Sequence, residues 1–454
     1  MHRTNLVGCA AFAVTCLLAL AAAPGRGETH AFVGAHIITV AGDEIAGGVL
    51  VVEDGRITMV GPAAATTIPA GAVQHDVTGK VIMPGLVDTH SHIGGVGGAD
   101  GSAPIQPGVR VLDSVNPMDS GFRRMVSGGV TTANVMPGSG HLLSGQTVYL
   151  KIRRPGGEPP RRVEDLYILR EDGTPAGGIK MANGTNSIGG PPFPGTRAKS
   201  AFLVREQFIR AREYGEKVKA ARKEDGSVDE SKLPPRDLGL EALVDAMEGR
   251  VIVQHHTHRA DDIMTVLRLR DEFGFRVVLH HVSEAWKVAD EIAEAQRKGG
   301  VLGCSAILVD SPGGKLEAAD LSMETGAELV RAGVTMAYHT DDWITDSRLF
   351  LRMAALGVRA GLPRDAALRA VTLAGAQLLD LQDRIGSLEP GKDADFIVLS
   401  GDPLSVYTKI EQTWVEGELV FDRNRPEDRL YQTGGYGAGH DQTPYFCCFG
   451  GAGQ

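Results

Sequence analysis

Two histidines at spacing i, i+2 close the apolar run Val81-Ile-Met-Pro-Gly-Leu-Val-Asp88-Thr-His90-Ser-His92. On a strand, alternate side chains share a face, so His90 and His92 point the same way and can grip one cation. Neutral imidazole is the commonest side-chain metal ligand, and the later sequence supplies partners. Arg250-Val-Ile-Val-Gln-His255-His256-Thr-His258 and Arg276-Val-Val-Leu-His280-His281 each read as a strand ending in imidazoles. Gly333-Val-Thr-Met-Ala-Tyr-His339-Thr-Asp341-Asp342-Trp343 reads as a strand ending in a carboxylate pair. No cysteine pair has zinc-site spacing, so the ligands must come from His, Asp and Lys. No Gly-x-Ser-x-Gly elbow joins a strand to a helix, and Cys304 sits in an apolar run as a buried thiol, so nothing points to a Ser or Cys nucleophile.

These side chains need elements that bring them together. Short alternating segments open the chain (Ala31–Ile38, Gly48–Glu53, Arg56–Val60) and similar ones return at its far end (Ala394–Leu399, Gln412–Phe421). The two ends are expected to pair into one small β-sandwich. Between them, short β-like runs alternate with helical patterns, as in a (β/α)8 TIM barrel, which makes the expected class α/β. Val130–Met136, Thr147–Ile152 and Gly178-Ile-Lys180-Met-Ala182 read as barrel strands, each ending in a loop able to carry chemistry, and all C-terminal strand ends of such a barrel converge on one mouth. Strand alternation turns His255 and His280 away from that mouth. His339 faces inward but deep. The charged stretch Arg205–Lys223 has helical spacing, and further helices are expected near Ala260-Asp-Asp and from Glu284.

The 454 residues are 43% hydrophobic and 22% charged, a globular composition, and the formal net charge of −10 excludes a nucleic-acid partner. After Met1-His-Arg3, the apolar run Leu6–Ala23 ends in small residues, the pattern of a cleaved signal peptide spanning 1–27, so the protein is expected to be exported, periplasmic or secreted, without stable membrane insertion of the mature chain. Of the five cysteines, Cys9 and Cys16 lie in that leader and Cys447 and Cys448 are adjacent, so no disulfide scaffold is expected. The expected domains are the sandwich (28–80 with 385–425), the barrel (81–384) and a Gly-rich tail (426–454).

Taken together, PGLVDTHSH, GVTTANVMPGSG, IKMANG, HTHRADD, HHVSEA, HTDD and the closing GSLEPGKDADFIVL resemble the amidohydrolase superfamily, in particular the imidazolonepropionase-like branch that includes metal-dependent dipeptidases. The resemblance covers most of the mature chain. It implies a TIM barrel with one or two divalent cations, usually zinc, in which His90 and His92 hold the more buried metal, His256 and His281 the second, and Asp341 both binds the first metal and carries the proton. His258 is implied as a substrate or transition-state contact. Lys180 matches a lysine that binuclear relatives carboxylate to a bridging carbamate; without it, a one-metal site of His90, His92, His256 and Asp341 remains.

The expected reaction is hydrolysis of an amide-type C–N bond in a small molecule (a dipeptide, acylamino acid or cyclic amide), because a bound divalent cation lowers the pKa of water from about 15.7 to about 7. Asp341 takes the proton and returns it to the leaving nitrogen. A ring aminohydrolase would want a glutamate three residues after the strand-five histidine, where this chain has Arg259 or Asp261. Imidazolone ring opening and a catalytically silent exported binding protein are the other readings. Arg259 and Arg153 are candidates for recognising a substrate carboxylate, and a homo-oligomer stays open.

Overall fold

Two Asp/Glu-Gly turns organise the sheet built from the chain ends. Asp54-Gly55 and Glu416-Gly417 all have positive φ, the left-handed pair that a two-residue hairpin needs to match the twist of its strands. In the computed structural model, which describes residues 28–154, 158–223, 225–308, 315–342, 344–435 and 437–438, the N-terminal segment forms β1 (His30–Ile37), β2 (Ile45–Glu53), β3 (Arg56–Pro62), β4 (Val73–Asp76) and β5 (Val81–Pro84). The apolar leader and the tail beyond residue 438, with four of the cysteines, Tyr445 and Phe446, lie outside the described residues, as do Trp343 and Tyr436.

From β5 the chain enters the barrel through β6 (Leu86–Ser91), β7 (Val130–Val135), β8 (Leu143–Gln146), β9 (Val148–Lys151), β10 (Gly178–Ala182), β11 (Ile252–Thr257), β12 (Val277–His281), β13 (Val301–Ala306) and β14 (Met336–Tyr338). It returns to the first sheet in β15 (Phe396–Leu399), β16 (Ile410–Val415) and β17 (Glu418–Asp422). That sheet runs β17-β16-β15-β5-β1-β2-β3, with β4 also on β1, and its two halves meet where β15 pairs antiparallel with β5. Phe32, Phe396 and Trp414 fill one face.

In the barrel, β6 pairs parallel with β7, and β10 through β14 run parallel in sequence order. Every residue of β10, β11 and β12 is buried, as expected of parallel strands covered on both faces. Closure comes from the parallel bridge Ser91–Asp342 and from the Asp341 N–H donating to the His90 carbonyl at 2.9 Å.

One stave departs from the expected pattern. β8 and β9, separated by Thr147, pair antiparallel with β10 and β7 respectively. The connection across residues 136–142 is too short for the crossover that a parallel strand requires, so the chain doubles back. The strand read at Thr147–Ile152 therefore ends at the face opposite the mouth and offers it no loop.

Helices Ala260–Phe273, Ala289–Arg297 and Thr325–Arg331 make the crossovers from β11 to β14. The first stops at Gly274, φ 77°, the usual left-handed C-terminal residue. The second starts later than expected: Glu284 accepts the Ala260 N–H at 2.9 Å and a short turn, Ala285–Lys287, intervenes. The long charged helix runs Arg197–Ala220, earlier than the charge pattern suggests, because the Thr196 side chain caps it by accepting from Lys199 N. Cys304 is fully buried and burial pushes its thiol pKa up, so it is an inert core group.

Candidate metal centre

The parallel strands deliver their ligating side chains to one end of the barrel. His90 lies in β6 with His92 just beyond it, Lys180 in β10, His256 in β11 with His258 following, and Asp341 after β14. His90 Nε2 is 3.3 Å from His92 Nε2 and 3.4 Å from Asp341 Oδ1, and His92 Nε2 is 2.9 Å from the same oxygen. Lys180 Nζ reaches His90 Nε2 at 2.9 Å and Met136 Sδ at 3.0 Å. Alongside, ring nitrogens of His256, His258 and His281 lie within 4.8 Å of one another. The residues expected at two adjoining cations are thus brought together, and His258 joins the second group as a potential ligand.

The donor chemistry fits a cation. His92 Nδ1 is 2.8 Å from the Met136 carbonyl; a carbonyl only accepts, so Nδ1 carries a proton and Nε2 is the nitrogen turned toward the Asp341 carboxylate. His256 Nδ1, His258 Nε2 and His281 Nε2 are buried without a hydrogen-bond partner, an expense a ligand would relieve. Burial holds His90, His256 and His281 well below the usual imidazole pKa, so they are neutral donors at pH 7. Burial alone would raise Asp341, but the hydrogen bond and charge of His92, then His339 and Lys180, outweigh it and hold the carboxyl well below the usual range.

Backbone conformation at the strand ends contributes. His281, Val282 and Asp341 have φ of 69°, 47° and 49°, a left-handed region costly for a β-branched valine. The expected alternation along β12 has the wrong phase: His280 pairs in register with His256 and shares its inward face, and the positive φ at His281 goes with a second ring turned to the same side, 4.1 Å from that of His256. His280 does not point away: its ring lies 4.9 Å from that of His90 and 5.5 Å from that of His339. His255 does turn outward, its Nδ1–H donating to the His256 carbonyl at 2.9 Å, and it lines a cavity of about 540 Å³ with Arg197, Asp262 and Arg268. His339 faces inward beneath the ligands, stacked on His90 at 4.8 Å and bonded to Ser305 Oγ at 2.8 Å.

Neither arginine is free for a substrate carboxylate. Arg259 is paired with Asp261 at 2.9 Å. Arg153, at the far end of the reversed stave, pairs with Glu416 at 2.6 Å and donates to the carbonyls of residues 165–167. Several neighbours escaped the sequence reading because they come from loops: Ser283, 2.8 Å from His258 Nδ1; Asn186, 3.4 Å from His256 Nε2; and Glu317, whose carboxylate accepts the Thr185 N–H at 2.6 Å. Lys315 sits close enough that its charge lowers the pKa of both His256 and His258.

A family model described as the amidohydrolase family matches residues 201–421. The crystal structure of an amidohydrolase from Thermotoga maritima MSB8 is similar at TM-score 0.77 and 32% identity, covering 87% of this chain and 100% of that one. The chain belongs to the amidohydrolase superfamily. Among curated relatives, this superfamily member is 31% identical over 397 residues to amidohydrolase tasK of Hapsidospora irregularis, covering 83% of its own length and 40% of that protein. It therefore spans well under half of that relative. It is also 27% identical over 388 residues to the imidazolonepropionase of Micrococcus luteus, covering 77% of this chain and 86% of that one.

Proposed function

We propose that the protein hydrolyses an amide-type C–N bond in a small molecule, with a dipeptide or acylamino acid as substrate. The observation that carries this reading is the convergence of His90, His92 and Asp341 within 3.4 Å. A divalent cation, for which we propose zinc, supplies an acidified water and a Lewis acid toward the carbonyl when bound. His90, His92 and Asp341 would hold one ion, and His256, His281 and His258 a second. Asp341 accepts the proton of the attacking water and returns it to the leaving nitrogen. His258, held by Ser283, presents its free Nε2 toward the same space and orients the carbonyl oxygen when it is not ligating.

Lys180 would bridge the two groups as a carbamate. It is fully buried, burial pulls its pKa down to about 7 against the attraction of Asp341, and the neutral amine is the form that adds carbon dioxide. Its neighbours His90 and Met136 offer no carboxylate to keep it an ammonium. We also propose that residues 1–27 direct export; among the described residues no helix is long and apolar enough to cross a membrane.

The test is elemental analysis of purified protein, then a screen of dipeptides, acylamino acids and cyclic amides with and without chelator. Metal-free, chelator-insensitive turnover would sink the reading. Similarity along most of an imidazolonepropionase favours a second reading, ring hydrolysis of a cyclic substrate, which the cyclic-amide arm detects. Anomalous scattering from crystals would count the ions and show whether Lys180 is carboxylated.

A further inference from the structure

We propose that Gln254 and His280 are positioning residues that fix the tautomer of His90, so that its Nε2 is left as the metal-binding nitrogen. The inference rests on the reading of His90 as a ligand. One edge of the His90 ring, Nε2, faces His92, Asp341 and Lys180. The other nitrogen, Nδ1, is buried with no hydrogen-bond partner, and so is Nδ1 of His280. The two rings stand 4.9 Å apart at 80°, and ring nitrogens of His90, His280 and His339 fall within 4.8 Å of one another.

The proton positions follow from the partners at the far end. His280 Nε2 is 2.7 Å from Gln254 Oε1, while the Gln254 Nε2 donates to the Tyr149 hydroxyl at 3.2 Å. An amide oxygen only accepts, so His280 carries its proton on Nε2 and its Nδ1 is a lone pair. A histidine that ligates through Nε2 must carry its proton on Nδ1, and ligating histidines almost always donate that proton to a fixed acceptor. His339 cannot serve, because its Nδ1 is engaged with Ser305 and its Nε2 faces His281 Nδ1 at 3.4 Å. His280 Nδ1 is the unused acceptor beside His90. The structure shows the second bond of the relay, His280 to Gln254; with the ion bound, the His90 Nδ1–H would donate to His280 Nδ1, and all three side chains are buried.

Gln254 precedes His256 by two residues on β11 and so shares its inward face, one layer deeper. The ordinary reading of a buried glutamine, a packed core amide, predicts no effect on the ion. The relay predicts one, and the two are separable by substituting the acceptor while keeping the volume.

The experiment measures zinc affinity by chelator competition on the purified full-length chain, with metal-free unfolding midpoints recorded in parallel. Gln254→Leu removes the acceptor and is expected to weaken zinc binding about 10- to 100-fold. Gln254→Glu, whose carboxylate also only accepts, is expected to retain it. Should Gln254→Leu fail to fold, Gln254→Met replaces it with the same expectation. Unchanged affinity in the leucine variant, or equal loss in leucine and glutamate variants at similar midpoints, overturns the relay. A wild-type chain that binds no zinc refutes instead the metal reading on which the relay stands.

Discussion

At the scale of single residues, the division of labour is set by what each side chain can do with a proton. Asp341 lies within 3.4 Å of both His90 and His92 and is held ionised, so it is ready to accept a proton rather than donate one. Replacing it by asparagine keeps the shape and one acceptor but removes the base. Asp341→Asn is expected to lower kcat by about 10²- to 10⁴-fold with an unaltered circular-dichroism spectrum, and near wild-type turnover would remove Asp341 from proton transfer. His92→Ala is expected to abolish turnover together with binding of the first ion, checked by elemental analysis of the purified variant. Both residues were legible because strand alternation and an apolar lead-in are local properties. His280 was not, because two successive rings face inward: His280 by its register with His256 and His281 through its left-handed backbone, and no period read from sequence anticipates a change of backbone region.

At the scale of elements, the reversed stave ties the barrel to the terminal sheet. Lys151, at the end of β9, is fully buried and its ammonium meets Asp393 at 2.5 Å, Asp395 at 3.2 Å and Glu416 at 3.0 Å. Burial alone would lower its pKa, but these three carboxylates raise it. The Lys-Asp-Ala-Asp-Phe segment of the closing motif thus has a mechanical role: Asp393 and Asp395 neutralise a cation from the barrel just before β15 joins β5. Removing one partner of a buried ion group strands the others, so Lys151→Met is expected to cost about 3–5 kcal/mol in denaturant unfolding. The residues proposed as metal ligands belong to other strands, so the metal content of the folded fraction should stay at the wild-type value. A loss below about 1 kcal/mol would show that the carboxylates find water or other cations. The motif was visible as a string, but its partner Lys151 lies far away in sequence and in a strand whose reversal follows from a short connection, so the contact was not readable.

At the scale of the whole molecule, the barrel interior concentrates imidazoles that are neutral because they are buried, and this gives the fold an acid limit. Burial lowers His255 and His258 to about 4 and His339 to about 3, with His90, His256, His280 and His281 also well below the ordinary value. In the unfolded chain each would titrate near pH 6.5. Between that value and the folded pKa, the unfolded state binds more protons than the folded one, so unfolding free energy rises with pH and falls as the solution is acidified. Each such group contributes a slope of about 1.4 kcal/mol per pH unit within its own window, fully retained above pH 6.5 and lost progressively toward pH 4. Metal-free protein is therefore expected to show a denaturation midpoint that falls steeply from pH 6.5 to 4 with uptake of several protons on unfolding. Saturating zinc should steepen the same loss, since protons and the cation compete for the same nitrogens. A midpoint independent of pH across that interval would mean that the interior histidines titrate as if exposed, and with that the packed, dehydrated barrel mouth on which the hydrolytic reading depends would be wrong.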